Sequence, residues 1–380
     1  MSEEKNLYVK LEKELLNLAD NEKKKDKILK KLNLLRSNKL NIMLVGATGC
    51  GKSSTINALF NCADLQVPTE EKVVEEKATE VSEVHPAEGE IIIPQKADTV
   101  EQPAADAAQE KNQEEKLFVE VAKVGSKADP ETKDIEKYTI GNLTLWDTPG
   151  LGDGTEIDVH HKEVIRELLR EVDEDGNRLI DLVLVILDGS TRDLGTSYKI
   201  LNEVIIPEFG KKRKRILVAL NQADIAMKIG RHWDYEKNEP DEVLVKFLDE
   251  KLASIKKRIY DDSQLEIEPV YYCAGYVEPE GDVVRPYNLT KLLYYILKSI
   301  PAKKRLPIME SMNTDIENYK YNDSDYSGRV QESFLDAIFE AIEDGAEIGR
   351  AVLGLPGAIV GGAIGGVIGA LGRVLGGILG

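Results

Sequence analysis

A chain of 380 residues, 42% hydrophobic and 31% charged, has the material for a full α/β domain with further segments. Its formal net charge of −18 excludes a general nucleic-acid binder, whose phosphate-facing surface must be basic. Three cysteines (Cys50, Cys62, Cys273) make no disulfide framework, and the charged start Met1–Lys5 leads into no long apolar run, so a reducing, cytoplasmic setting without a secretory leader is expected.

Leu11, Leu15 and Leu18, then Leu29, Leu32 and Leu35, recur at three- and four-residue steps among Lys and Glu. The spacing predicts one or two amphipathic helices within an N-terminal segment 1–38. A lysine run (Lys23, Lys24, Lys25, Lys27, Lys30, Lys31) lies in it, and a second basic run covers Lys211–Arg215. Each reads as a solvated face or as a contact for anionic lipid or RNA.

The apolar run Ile42–Val45 reads as a buried strand and Ser53–Phe60 as a helix start. Between them, Gly46-Ala47-Thr48-Gly49-Cys50-Gly51-Lys52-Ser53 fits G-x-x-x-x-G-K-[ST], with Ser54 following. The glycines let the backbone turn tightly, so that its N–H groups face phosphate oxygens, and the helix N-terminus adds its positive dipole end. Lys52 is expected on the β- and γ-phosphates and the Ser53 hydroxyl on Mg²⁺.

Residues 66–116 hold fourteen Asp or Glu, five Lys and no aromatic residue. Such a composition cannot bury enough apolar surface to offset its ordering entropy, and it reads as a disordered acidic insertion, with a small folded hairpin around Ile91-Ile92-Ile93 as the alternative. Beyond it, Ile135–Ile140 and Leu143–Trp146 flank Gly141-Asn142, a hairpin turn signal. Leu182–Leu187, Ile216–Leu220 and Pro269–Cys273 read as buried strands. Helical patterns lie around 160–172, 195–206, 242–259 and 288–299. This alternation predicts an α/β domain over 39–300 with a mostly parallel sheet.

Three short motifs stand at predicted strand ends, the edge where ligands bind in open α/β sheets. Asp147-Thr148-Pro149-Gly150 places a carboxylate to hold Mg²⁺ and a side-chain-free N–H to meet a γ-phosphate. In Asn221-Gln222-Ala223-Asp224 the Asp224 carboxylate accepts from guanine N1–H and the 2-amino group, donors that adenine lacks, while Asn221 braces the phosphate loop. In Cys273-Ala274-Gly275 the Ala274 N–H is placed for the guanine 6-oxo group. His160 and His161, with no Cys or third His nearby, read as a surface pair.

The ordered set GATGCGKSS, DTPG, NQAD and CAG resembles the GTPase domain of Era-like and related translation-factor-class GTPases. It is most similar to bacterial predicted GTPases labelled 50S ribosome-binding GTPase, and its phosphate loop also resembles that of immunity-related GTPases. The resemblance covers about residues 39–300 and implies a P-loop (Ras-like) fold that binds GTP and GDP with Mg²⁺ and hydrolyses GTP. It implies a switch I threonine closing over Mg²⁺ and the γ-phosphate; Thr132 fits best and Thr69 competes. Small signalling GTPases carry a water-orienting glutamine where this chain has Leu151, so hydrolysis is expected to be slow unless a partner helps. Arg192 is either an internal helper or a surface ion-pair member. Gly49 replaces the asparagine that recruits potassium in some relatives, and Gln222 the commoner lysine.

After a linker-like stretch 301–327, residues 329–350 alternate as an amphipathic helix. Residues 351–380 then form a glycine-rich tail, uncharged from Ala351 to Gly372, with Gly361, Gly365 and Gly369 on one helical face. Twenty-two uncharged residues suffice to span a bilayer core of about twenty, and the Gly-x-x-x-Gly spacing allows close helix approach. Membrane contact and self-association through the tail are therefore expected, against an apolar tail packed on its own protein. The functional expectation is a GTP-hydrolysing switch or mechanoenzyme at a membrane. The alternatives are a soluble ribosome-associated GTPase and a slow GTP-binding membrane scaffold.

Overall fold

The computed structural model describes residues 22–60, 135–151, 155–192, 194–209, 213–277 and 283–343, with a few positions before residue 22. All belong to one compact unit drawn from both sides of residues 68–118. The acidic stretch 66–116, Thr69, Thr132, Cys62, Lys211, Lys212 and the glycine-rich tail 351–380 lie outside the described residues. Among the described residues, no helix is long and apolar enough to cross a membrane.

In chain order the main elements are α1 (Glu22–Arg36), β1 (Leu40–Gly46), α2 (Lys52–Leu59), β2 (Glu136–Ile140), β3 (Leu143–Asp147), α3 (Thr155–Arg170) and β4 (Leu182–Asp188). Then come α4 (Gly195–Ile200, prolonged through a π turn Leu201–Ile205 to Phe209), β5 (Ile216–Asn221) and the short pair β6 (Trp233–Asp234) and β7 (Glu239–Pro240). The chain continues with α5 (Glu242–Ser263), β8 (Val270–Tyr271), the pair β9 (Tyr276–Val277) and β10 (Val283–Val284), α6 (Leu289–Ser299), α7 (Leu306–Ser311) and α8 (Ser327–Glu343). The last expected strand is only two residues long, and the two small strand pairs carry no alternation long enough to read from sequence.

Six strands form one sheet in the order β2-β3-β1-β4-β5-β8. Only β2 runs antiparallel, joined to β3 by the Gly141-Asn142 turn, where Gly141 has φ +57°. Strand side chains alternate between faces, and here the alternation divides the core in two. Leu40, Ile42 and Leu44 of β1, with Leu182, Leu184 and Ile186 of β4, pack under α1, α2, α6, α7 and α8. Met43 and Val45, with Val183, Val185 and Leu187, pack under α3, α4 and α5. Both faces are covered, which is why the central strands read as unbroken apolar runs.

The register aligns the functional strand ends. Leu44 pairs with Asp147, Gly46 with Ile186 and Asp188 with Asn221, so the phosphate-loop start, Asp147 and Asn221 share one sheet edge.

The N- and C-terminal segments are part of this core. α1 buries Ile28, Leu32 and Leu35, and α8 buries Val330, Phe334 and Ile338 in the same cluster. Residues 301–327 were expected as a linker but are packed: α7 is buried, Tyr319 is 1% exposed, and Lys304 pairs with buried Asp181 at 2.7 Å. Scattered tyrosines gave no periodicity, yet Tyr319 and Tyr326 bury their rings, and a fully buried aromatic contributes about 1.5–3 kcal/mol.

The same segment closes the far end of α2. A helix leaves its last carbonyls without partners. Here Asn313 donates its backbone N–H to Leu59 O (2.9 Å) and its side chain to Asn57 O (3.2 Å). Asn318 Nδ2 donates to Ala58 O (3.3 Å), and the Tyr319 hydroxyl donates to Leu59 O (3.1 Å). Phe60 forms a bridge with Met312. The helix that starts at the phosphate loop is thus capped by residues some 260 positions later in the chain.

Candidate nucleotide-binding site

β1 ends at Gly46, and the loop to Gly51 leads straight into α2 at Lys52. Gly49 and Gly51 have φ +75° and +87°, a region costly for residues with a Cβ. A Cβ on Gly51 would also collide with the Asn221 amide, and one on Gly46 with the Ile186 carbonyl and Cys50 Sγ. Cys50 is fully buried beneath the loop, and burial pushes its thiol up, with the Lys52 charge opposing. Ala47, Thr48 and Gly49 lie at the surface of the loop, and Ser54 is half-buried in the first turn of α2. Lys52 is 8% exposed and curls back, its Nζ donating to the carbonyls of Gly46 (3.3 Å) and Ala47 (3.4 Å). The ammonium is thereby held over the loop whose N–H groups would cradle an anion.

Ser53 Oγ donates to Asp147 Oδ2 at 2.7 Å. The other carboxylate oxygen, Asp147 Oδ1, is buried with no hydrogen-bond partner. Burial drives the Asp147 carboxyl up, against the pull of Lys52 and Ser53. A buried carboxylate with one orphan oxygen, beside a hydroxyl, is a donor set of hard oxygens that fits Mg²⁺. These residues suit the ion that the motifs implied.

Gly150 lies against the phosphate loop, where a Cβ would run into Thr48 (2.6 Å from its Cα). Thr148 donates its hydroxyl to Leu44 O (2.8 Å), and the Thr48 N–H donates to Leu151 O (3.1 Å). The Leu151 side chain is 1% exposed and sits in the core under α3–α5. It is packed inside the domain and offers no polar group that could orient a water. The expectation for His160 and His161 fails at one position. His160 is exposed, but His161 is 5% exposed, and its Nδ1 meets the Gly150 carbonyl at 3.1 Å. His161, Ile165 and Leu168 stand at helical spacing on the buried face of α3, a signal the sequence did carry.

At the other end of the loop, Asn221 Nδ2 donates to Cys50 O (3.0 Å), and Asn221 Oδ1 accepts the Ala274 N–H (3.0 Å). The N–H expected to meet a guanine 6-oxo group is thus engaged with Asn221 in this structure. Gln222, at φ +58°, donates Nε2 to Gly49 O (2.9 Å), so it ties the loop from outside. Cys273 Sγ donates to Asp224 Oδ1 (3.2 Å), while Asp224 Oδ2 is buried without a partner. Burial raises the Asp224 carboxyl, and the Cys273 bond opposes it. Cys273 was singled out only as part of the CAG motif; its role in aiming Asp224 appears from the geometry.

Arg192 is exposed in the loop after β4. That loop is held by Lys251, whose Nζ donates to Gly189 O (2.5 Å) and Thr191 O (2.7 Å) and whose pKa burial lowers.

The model of the dynamin family matches residues 42–176. No curated protein sequence matches the chain. Among solved structures, the chain is similar to Toc33 from Arabidopsis thaliana in complex with Mg²⁺ and GMPPNP, at 17% identity and TM-score 0.34 over 77% of this chain and 96% of that one. It is similar to the G domain of the T. maritima FeoB iron transporter, at 17% identity and TM-score 0.30 over 69% and 99%. It is also similar to LeoA, a bacterial dynamin GTPase from ETEC, at 14% identity and TM-score 0.32 over 91% of this chain and 47% of that one. The chain has the α/β P-loop GTPase fold with a mostly parallel sheet, and its G domain is a GTP hydrolase domain.

Proposed function

We propose that the chain is a GTP-hydrolysing switch whose nucleotide state is passed to its C-terminal helix and tail, and that it works at a membrane. The observation carrying the nucleotide reading is a pair of buried, unpartnered carboxylate oxygens, Asp147 Oδ1 and Asp224 Oδ2, at the two ends of one phosphate loop. The first suits a cation and the second suits the two donors of guanine. An orphan buried acceptor costs about 1–3 kcal/mol, which a bound partner relieves.

In this reading Lys52 leaves the loop carbonyls and neutralises the β- and γ-phosphates. Ser53 and Asp147 hold Mg²⁺, which when bound offsets charge on the phosphate oxygens. The Gly150 N–H meets the γ-phosphate. Asp224, aimed by Cys273, selects guanine, and Asn221 and Gln222 lock the base-binding loop onto the phosphate loop. With Leu151 in the core, turnover is slow unless a partner or a second copy supplies a group. Such a group, typically an arginine, is worth about 10³–10⁵ in rate.

The capped end of α2 supports the coupling. Phosphate contacts act on one end of this helix, and residues 313–319 hold the other end and lead into α8. The tail 351–380 follows. GTP turnover and liposome flotation, measured for the full chain and for a version lacking 351–380, test the proposal. Lipid-stimulated turnover that needs the tail supports it; turnover indifferent to both defeats the membrane part.

A slow GTP-binding scaffold is the second reading, favoured by the buried Leu151 side chain. It predicts negligible turnover with lipid at high protein concentration. A soluble ribosome-associated role rests on the motif resemblance and the lysines of α1; salt-sensitive co-sedimentation with large ribosomal subunits would favour it.

A further inference from the structure

The segment Thr148–Leu151 is tied down from three directions. Thr148 bonds to the end of β1, Leu151 O accepts from the phosphate loop, and Gly150 O meets His161 from α3. The third tie is the unexpected one. A histidine 5% exposed is rarely placed without a use for its ring nitrogens. Gly150 O can only accept, so Nδ1 carries the proton and the tautomer is set by this contact.

The contact fixes the most pliable residue of the segment. Gly150 has no side chain to limit its ψ, and the position cannot accept one because a Cβ would strike Thr48. Nothing intrinsic to the residue therefore holds its peptide planes. Its N–H is the group that meets the γ-phosphate in the proposed function, and GDP presents no such phosphate. With Thr148 held on one side, holding the carbonyl on the other limits the rotations of Gly150 that would swing its N–H away.

We propose that His161 is a positioning residue for γ-phosphate recognition: by donating from Nδ1 to the Gly150 carbonyl it anchors the peptide that follows Gly150, and so restrains the residue whose own N–H, in the preceding peptide, distinguishes GTP from GDP. The role rests on the nucleotide reading above and adds to it a residue eleven positions downstream of the glycine. It makes a selective claim. Loss of the bond weakens GTP binding and leaves GDP binding in place, because the diphosphate contacts lie in the phosphate loop and the guanine contacts at Asp224.

The test is binding of fluorescent GDP and of a non-hydrolysable GTP analogue, with Mg²⁺, to the full chain and to H161A, H161N and H161Q. An asparagine amide nitrogen falls near the Nδ1 position and a glutamine amide nitrogen near Nε2. H161A and H161Q should lose about ten-fold in analogue affinity, the effect of one hydrogen bond, with GDP affinity unchanged. H161N should restore most of the preference. In turnover, kcat should fall in H161A and recover in H161N. Equal losses for GDP and analogue would mark a merely structural histidine and overturn the proposal. So would H161N behaving like H161A, or H161A keeping the wild-type preference. If H161A fails to fold, the contrast between H161N and H161Q decides. A wild-type chain that binds neither nucleotide overturns the nucleotide reading itself. A wild-type chain that prefers the analogue, with no difference among the variants, overturns only the role of His161.

Discussion

Replacing Tyr319 by phenylalanine tests whether residues 313–319 hold the phosphate-loop helix. The ring is 1% exposed and packed in the core beside α2, so the substitution keeps the packing and deletes one hydroxyl. That hydroxyl donates to Leu59 O at 3.1 Å, but Leu59 O also accepts the Asn313 N–H at 2.9 Å. The carbonyl is therefore not orphaned, and the loss is that of one net hydrogen bond, about 1 kcal/mol, rather than a full desolvation penalty. In a domain of this size 1 kcal/mol moves the thermal midpoint by about 2 °C. Tyr319→Ala removes the ring as well and should cost about 3–5 kcal/mol. Burial holds the phenol well above the ordinary tyrosine range, so the hydroxyl remains a donor through alkaline pH and the difference should not depend on it. The assay is urea and thermal unfolding followed by tryptophan fluorescence for the three proteins. Equal midpoints for wild type and Tyr319→Phe would refute the hydroxyl contact. Equal losses for Phe and Ala would refute the division between ring and hydroxyl.

Asp224→Asn turns an acceptor into a donor where guanine presents donors. GTP affinity should fall by about 10⁴-fold, and XTP, which carries an acceptor at the 2-position, should be bound instead, as read by nucleotide competition. Gly150→Ala places a Cβ against the backbone of Thr48 and should displace the segment, lowering single-turnover GTP hydrolysis by about 10²-fold with GDP affinity retained. Asp241 caps α5 by accepting the Leu244 N–H at 2.9 Å, and that bond, then His232, lowers its pKa. A depressed pKa contributes stability at neutral pH that is lost as pH falls through the folded-state value. Asp241→Ala should thus lower the urea midpoint at neutral pH, and the gap to wild type should close in acid.

Much of the site was legible because its chemistry is local. The phosphate loop, Asp147, Asn221 and Asp224 each follow a strand written as an apolar run, and parallel pairing places such ends on one edge. The limits were non-local. Nothing in the spacing of Tyr319 or Asn318 announces that they cap a helix near residue 59. The pairing of Ala274 N–H with Asn221 depends on a turn conformation that residue identity leaves open. His161 was legible only in part: its spacing with Ile165 and Leu168 marks the apolar stripe of α3, but taking two adjacent histidines as one surface pair passes over that spacing. The packing of α1 against α8 joins two segments whose amphipathic stripes each lacked an obvious partner, and only the closed fold pairs them.

The cap on α2 has a consequence for how the protein is made. Chains emerge N-terminus first, so the phosphate loop and its helix leave the ribosome long before Asn313, Asn318 and Tyr319 exist. Closing a loop of some 260 residues adds little to the equilibrium cost, because that cost grows only with the logarithm of length, but it slows folding. A nascent chain that ends between residues 275 and 313 carries every nucleotide motif yet has an unsealed phosphate-loop helix. In the nucleotide reading proposed above, firm GTP binding therefore waits until residues 313–319 have been made and have closed on the helix.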